Sequence, residues 1–279
     1  MTLDPRGKVI NRLEMVEIPR GFLTMGSLEH QWEQPVHQVN VPSFYMGKYE
    51  VTQAQWQAVA KLPKVNGDMN PNPRYFKGDN LPMEDVSWSQ AMEFCARLFK
   101  ATGRIYRFPT EAEWEYACRA ATTTEFAFGE TITPEIVNYD GNHPYGKAPK
   151  GMLRDRATPV GSLGVANAFG LYDMHGNVGE WCMDAVHSDY DGAPTDGSAW
   201  EDERWERRIV RGDYRFEAAN CRSDKRDWMI KSGNRALGFR VVAAKRTDIA
   251  ISDFVQSQKA DVNSALPDKG EEDNLLKHD

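Results

Sequence analysis

Thiol and soft-metal chemistry in this 279-residue chain rests on four cysteines, Cys95, Cys118, Cys182 and Cys221. They are far apart, with no Cys-x-x-Cys pair and no histidine at zinc-finger spacing, so neither a disulfide framework nor a structural zinc site is signalled. Cys221 has Arg222 and Lys225 close behind it, charges that would favour a nucleophilic thiolate. The preferred reading is nonetheless four buried thiols. The histidines at 30, 37, 143, 175, 187 and 278 form no ligand cluster in sequence. The densest chemistry lies in residues 211–242, where Tyr214, Phe216, Trp228, Met229 and Ile230 are too many large apolar groups for an ordinary exposed loop. Arg215, Asp224, Lys225 and Asp227 interleave with them and would rim them with charge, the composition that binding hot spots favour. The alternative is that the aromatics are core and the charges a solvated face. Arg222, Arg226, Arg235 and Arg240 are read as structural salt-bridge partners.

Composition limits the partners. A formal net charge of -7 argues against a general nucleic-acid or anionic-membrane binder, since both need a basic footprint. Residues 204–240 carry eleven Lys/Arg against five Asp/Glu, but the acidic string Trp200-Glu-Asp-Glu203 beside them keeps nucleic acid a minor reading. No run approaches the ~18 apolar residues of a membrane span, and the first residues lack the apolar region of a secretory signal. A cytoplasmic protein with neither nucleic-acid nor membrane partners is therefore expected.

The elements that must position these residues are legible in part. The first forty residues alternate short apolar runs with Gly and Pro, as strands joined by turns do. Three helix starts carry N-cap chemistry: Thr52 with Gln55, Ser87 with Gln90, and Thr110 with Glu113. Over residues 87–102, Trp88, Ala91, Met92, Cys95, Leu98 and Phe99 recur at helical spacing and predict an amphipathic helix. From about 120 to 210, Gly, Pro, Asn, Asp and Tyr clusters predict a long irregular region, held by side-chain hydrogen bonds or an ion. Residues 245–279 carry five Lys/Arg and eight Asp/Glu with few aromatics, and predict a solvated acidic tail. A body over 1–243 and a tail over 244–279, the latter open to a signalling partner, is the expected division.

Four strings in order resemble the formylglycine-generating-enzyme family: Met46-Gly-Lys-Tyr-Glu-Val-Thr-Gln-Ala-Gln-Trp56, Arg107-Phe-Pro-Thr-Glu-Ala-Glu-Trp-Glu-Tyr-Ala117, Asn167-Ala-Phe-Gly-Leu-Tyr-Asp-Met-His-Gly-Asn-Val-Gly-Glu-Trp-Cys182 and Leu237-Gly-Phe-Arg-Val-Val242. The resemblance implies an α+β fold, the C-type lectin fold of that family, with much irregular loop structure. Its oxidase members use a cysteine pair in the segment that here begins Arg211-Gly-Asp-Tyr-Arg-Phe-Glu217. Soft copper chemistry needs both sulfurs, and this segment holds only Cys221. A non-enzyme is therefore expected, with a family oxidase or related enzyme as the alternative. The family also holds calcium at a position matching Asn177, Val178 and Glu180, where hard oxygen ligands suit that ion. Either calcium sits there, or Asn177 and Glu180 bond loop backbone. A second calcium position would involve Asn138, with Asp155 as the candidate carboxylate. No other cofactor is implied.

The chain further resembles a non-catalytic bacterial branch of the family, the variable proteins of diversity-generating retroelements, in which adenine-directed mutagenesis rewrites codons near the end of the domain. Rewriting both adenines of an Asn codon can produce Asp213, Tyr214, Arg215, Phe216, Asp224, Asp227, Ile230, Ser232 and Ala236; Trp228 and Met229 fall outside that codon class. With Lys225, these residues are the expected ligand-binding set, and a protein or peptide is the expected ligand.

Overall fold

Each of the three N-cap signals starts a helix. The computed structural model describes residues 13–72, 76–202, 206–212, 216–233 and 236–244. In α1 (Gln53–Ala60) and α3 (Glu111–Arg119) the capping threonines, Thr52 and Thr110, close reciprocal capping boxes with Gln55 and Glu113. The Ser87 side chain caps α2 (Trp88–Thr102) by accepting from Gln90 N, and the helix stops at Gly103, whose φ of 67° is the left-handed conformation that glycine adopts without strain. Trp88, Ala91, Met92, Cys95 and Leu98 are buried as their spacing predicts, and Phe99 is half-buried. Periodicity did not expose the buried pair Glu93–Arg97, whose nitrogen and oxygen lie 2.7 Å apart one turn along α2. Glu93 accepts from the N–H groups of Val65, Asn66 and Gly67, and Arg97 donates to the carbonyls of Ala60, Leu62 and Gly67. The pair thus ties the loop after α1 onto α2.

The strands are β1 (Met15–Ile18), β2 (Gly21–Met25), β3 (His37–Val41), β4 (Phe44–Gly47), β5 (Tyr106–Arg107), β6 (Gly179–Ala185), β7 (Arg207–Arg211), β8 (Asp227–Ile230), β9 (Leu237–Gly238) and β10 (Val242–Ala244). They form a sheet ordered β1-β4-β10-β5, a β2–β3 hairpin and a sheet ordered β8-β7-β6-β9. β10 returns from the far end of the sequence to pair with both β4 and β5, with Val242 opposite Met46 and Arg107. The last family string therefore links the two four-stranded sheets, since Leu237–Gly238 forms β9 of one and Val242 begins β10 of the other. Trp56, Phe94, Phe108 and Phe239 pack at the heart of one core cluster, with ring centroids 5.3–6.0 Å apart. A second cluster gathers around Trp114, Tyr116, Leu171 and Cys182.

Residues 120–178 contain no helix or extended strand, as expected, but the irregular region ends sooner than 210. β6 lies inside the span, and all seven of its residues are buried. A strand covered on both faces shows no apolar–polar alternation, and this one carries Glu180 and Asp184, so neither periodicity nor hydropathy marked it. The expected tail, from 245 onward, lies outside the described residues, as do Asp213, Tyr214, Arg215 and Arg235.

Candidate functional site

The segment after β7 is pinned by inward-pointing arginines. Arg211 reaches Glu111 and Glu115 on α3 and the carbonyls of Ser223 and Asp224. Arg222 donates to Asp224, Glu29 and Glu33. Arg226 grips Glu111 through Nε and Nη2, at 2.9 and 3.0 Å, and lies 4.2 Å from the centroid of the Tyr190 ring. Arg240 clasps Glu180 at 2.7–2.9 Å and donates to the carbonyls of Gly47 and Tyr172. All four guanidiniums are buried. The structural reading of Arg222, Arg226 and Arg240 holds, and their fixed, bidentate geometry makes the intervening chain a rigid frame.

Between these anchors the expected ligand-binding residues separate into two groups. Phe216 is 59% exposed and Ile230 is 48% exposed. Asp227 and Ser232 are also exposed, Lys225 and Trp228 are half-buried, and Met229, expected on the ligand face, instead packs against the main core cluster. β8 is the edge strand of its sheet, so 227–230 border open solvent rather than another strand. Trp228 lies under the guanidinium of Arg207, 4.0 Å from the ring centroid. Arg207 pairs opposite Ile230, which sets it diagonal to Trp228 across the two strands. Sequence reasoning missed Arg207; the β7–β8 register would have found it.

Two more expected residues are corrected. Asp224 is buried, holding Arg222 Nε at 2.8 Å and Arg119 Nη2 at 3.2 Å, so it belongs to the frame and not to a charged rim. Ala236 is buried ahead of β9, and its carbonyl accepts from Gly179 N. The hollow beside the segment, lined in part by Gly212, Lys225 and Asp227, measures about 20 Å³. That is room for roughly one water, so this hollow does not itself hold a small molecule.

The thiol reading is decided by burial. All four cysteines are buried and no disulfide joins them. Cys118 Sγ lies 3.6 Å from His175 Nε2, superficially a nucleophile and its base. Burial pushes Cys118 up to about 12 and His175 down to about 4, so both are neutral at pH 7. His175 instead bridges backbone: Nε2 accepts from Ala127 N, and Nδ1 donates to the Cys221 carbonyl. Because its folded pKa is below the unfolded value near 6.5, its contribution to stability is complete above that pH. It is lost as pH falls from 6.5 toward 4, by roughly 3 kcal/mol in all. Asp184, raised to about 7 by burial and Glu111, acts in the opposite direction over the same range. Nitrogen-15 NMR separates the two and should find the His175 ring still unprotonated at pH 5.5.

The implied calcium trio does not fit the ion as arranged. Glu180 is on β6, not a loop, and its carboxylate is committed to Arg240 and to Trp114 Nε1 at 2.8 Å. Asn177, at a left-handed φ of 67°, accepts at Oδ1 from Asn138 Nδ2, Thr158 N and Thr158 Oγ1, and donates to Glu50 and Thr158. Val178 is fully buried beside them. Two neighbouring oxygens, Asn138 Oδ1 and Glu50 Oε2, are buried with no hydrogen-bond partner. Burial, then the carboxylates of Asp173 and Glu180, pushes Glu50 well above the ordinary carboxylate range. Asp155 is exposed. Among the described residues no three His, Cys, Asp or Glu side chains are grouped to hold a metal.

Residues 3–245 match the sulfatase-modifying factor enzyme 1-like domain. The chain belongs to this family. The formylglycine-generating enzyme of Mus musculus is 29% identical over 236 residues, covering 66% of this chain and 61% of the relative. A Bos taurus relative named inactive C-alpha-formylglycine-generating enzyme 2 is 34% identical over 126 residues, covering 44% of this chain and 39% of the relative. The chain spans under two thirds of the length of several of the curated relatives it matches, the Mus musculus and Bos taurus formylglycine-generating enzymes among them. Among solved structures, PvdO from Pseudomonas aeruginosa superposes with a TM-score of 0.70 at 34% identity, covering 83% of this chain and 94% of PvdO. Treponema denticola variable protein 1 superposes at 0.65 and 23% identity, covering 83% and 95%. These confirm the α+β, formylglycine-generating-enzyme type of C-type lectin fold. The family includes both enzymes and proteins named inactive, so membership alone does not assign an activity.

Proposed function

We propose that this chain is a non-catalytic binding protein whose face, built from Phe216, Lys225, Asp227, Trp228, Ile230 and Ser232, recognises a protein or peptide. The observation that carries the reading is the contrast within one segment: arginines locked to carboxylates beneath, and outward apolar and charged side chains on an edge strand above. Asp213, Tyr214 and Arg215 extend the proposed face in sequence. A frame that holds its shape whatever stands between its anchors is what diversification of the intervening codons requires. The fold shared with Treponema denticola variable protein 1 is compatible with that origin.

The rival reading is an oxidase of the family, favoured by the likeness to formylglycine-generating enzymes. Against it stands the single, buried Cys221 where the resemblance calls for two sulfurs. Purified protein incubated with copper and a cysteine-containing sulfatase-type peptide decides between them by mass spectrometry. The peptide should emerge unchanged; its conversion to the aldehyde would overturn the binding-protein reading.

A further inference from the structure

A second candidate site lies where the β2–β3 hairpin meets the end of α3, and it does not depend on the proposed face. A cleft of about 520 Å³ opens there, within the size range of ligand pockets. One wall is apolar and bare. Phe22, on the outer side of β2, is 79% exposed, and Leu28, in the loop that follows, is 80% exposed; Val36 completes the wall. Large apolar side chains converging on one hollow mark an interaction site more often than scattered single ones do.

The floor is ionic, and its cations are already engaged. Arg119 donates through Nε to Glu115, through Nη1 to the Thr124 carbonyl and through Nη2 to Asp224. Arg222 is committed through all three nitrogens to Asp224, Glu29 and Glu33. Both guanidiniums are buried, so the cleft has no ready cation for an anionic ligand.

Acceptors, by contrast, are in surplus. Glu125 lines the cleft half-buried, and among the described residues its carboxylate has neither a hydrogen bond nor an ion pair. The Glu29 side chain, 48% exposed, is shared between Arg222 and the Tyr145 hydroxyl and still faces solvent. In and behind the floor, the carboxylates of Glu29, Glu33, Glu111, Glu115, Glu125 and Asp224 outnumber the guanidiniums of Arg119, Arg211, Arg222 and Arg226. Negative charge in excess beside a low-dielectric wall attracts positive charge, and more strongly than the same charges would in open water.

We propose that this cleft binds an organic cation, an ammonium or guanidinium on a hydrocarbon or aromatic body. The cation is met by Glu125 and Glu29, and the body lies against Phe22, Leu28 and Val36. Such a group is either a free amine or the basic side chain of a peptide, and the two sources are separable.

The test titrates the full chain with benzylamine, benzyl alcohol and benzoate, following backbone amides by NMR, and in a second arm with the capped tripeptide Leu-Arg-Leu. Benzylamine should shift amides in 22–29 and 121–125 and bind at least tenfold tighter than benzyl alcohol, with no binding of benzoate. Glu125→Gln should weaken benzylamine at least fivefold, and Phe22→Ser should weaken both neutral and cationic probes. Both positions are solvent-accessible, so the variants should fold, which their unchanged spectra elsewhere would verify. A tripeptide tighter than benzylamine identifies a basic peptide side chain as the ligand; a weaker one identifies a free amine. Equal binding of benzylamine and benzyl alcohol, shifts confined to other regions, or indifference to Glu125→Gln would overturn the proposal.

Discussion

Arg240→Met will destabilise the protein by about 3–5 kcal/mol, the range for removing one partner of a buried ion pair. Arg240 and Glu180 are fully buried, and the guanidinium meets both carboxylate oxygens at 2.7–2.9 Å. Methionine fills much of the volume but leaves Glu180 with only the Trp114 indole N–H. Asp173 raises the proton affinity of Glu50, and Glu180 raises that of both, so an unpaired Glu180 leaves a third carboxylate uncompensated in that neighbourhood. Two backbone carbonyls, of Gly47 and Tyr172, lose their donor as well. Urea unfolding measures the loss. Adding Glu180→Gln to Arg240→Met removes the stranded charge while keeping an acceptor for Trp114, and should recover about 2 kcal/mol. Simple additivity of the two single losses would show that the pair does not act as a unit.

The second large effect is on binding. For a peptide selected from a display library by the wild-type protein, Trp228→Ala and Ile230→Asp should each cut affinity by about 100-fold, close to 2.7 kcal/mol and within the span of interface hot spots. Trp228 presents a ring braced by Arg207, and Ile230 is a branched apolar side chain on the free edge. The same Ile230→Asp change should alter folding stability by no more than about 0.5 kcal/mol, as exposed substitutions do. Surface plasmon resonance and thermal melts, run on the same preparations, give both numbers. Selected peptides that bind wild type and both variants equally would place the interface elsewhere.

How far the sequence could be read follows from what each signal depends on. Caps are local: a hydroxyl three residues before a first-turn amide announces α1, α2 and α3 without knowledge of the fold. The apolar stripe of α2 is equally local. The structural role of Arg222, Arg226 and Arg240 was readable, but the pairings of the frame were not, because Arg211 with Glu115 or Arg240 with Glu180 joins residues 96 and 60 positions apart. Asp224 shows the consequence. Its codon class and charge placed it on the rim, but burial of Arg119 and Arg222 beneath the segment demanded a carboxylate, and Asp224 supplies it. Glu180 was misread for a related reason: a motif match attached it to a loop ligand set, whereas two-sided burial makes its segment a strand. Arg207 and the cleft beside the β2–β3 hairpin arise from strand register and from packing between distant elements, which spacing along the chain does not report.

The measurement that tests a diversified binding face most directly is the sequence of the DNA around the gene. The account predicts a nearby near-copy of the segment encoding 211–242, with adenines where the two differ, and a reverse-transcriptase gene beside it. The differing codons should fall at the outward positions 216, 227, 230 and 232 and spare Arg211, Arg222, Arg226 and Arg240. A locus with neither the near-copy nor the reverse transcriptase would contradict diversification and leave the face without the origin argued for it.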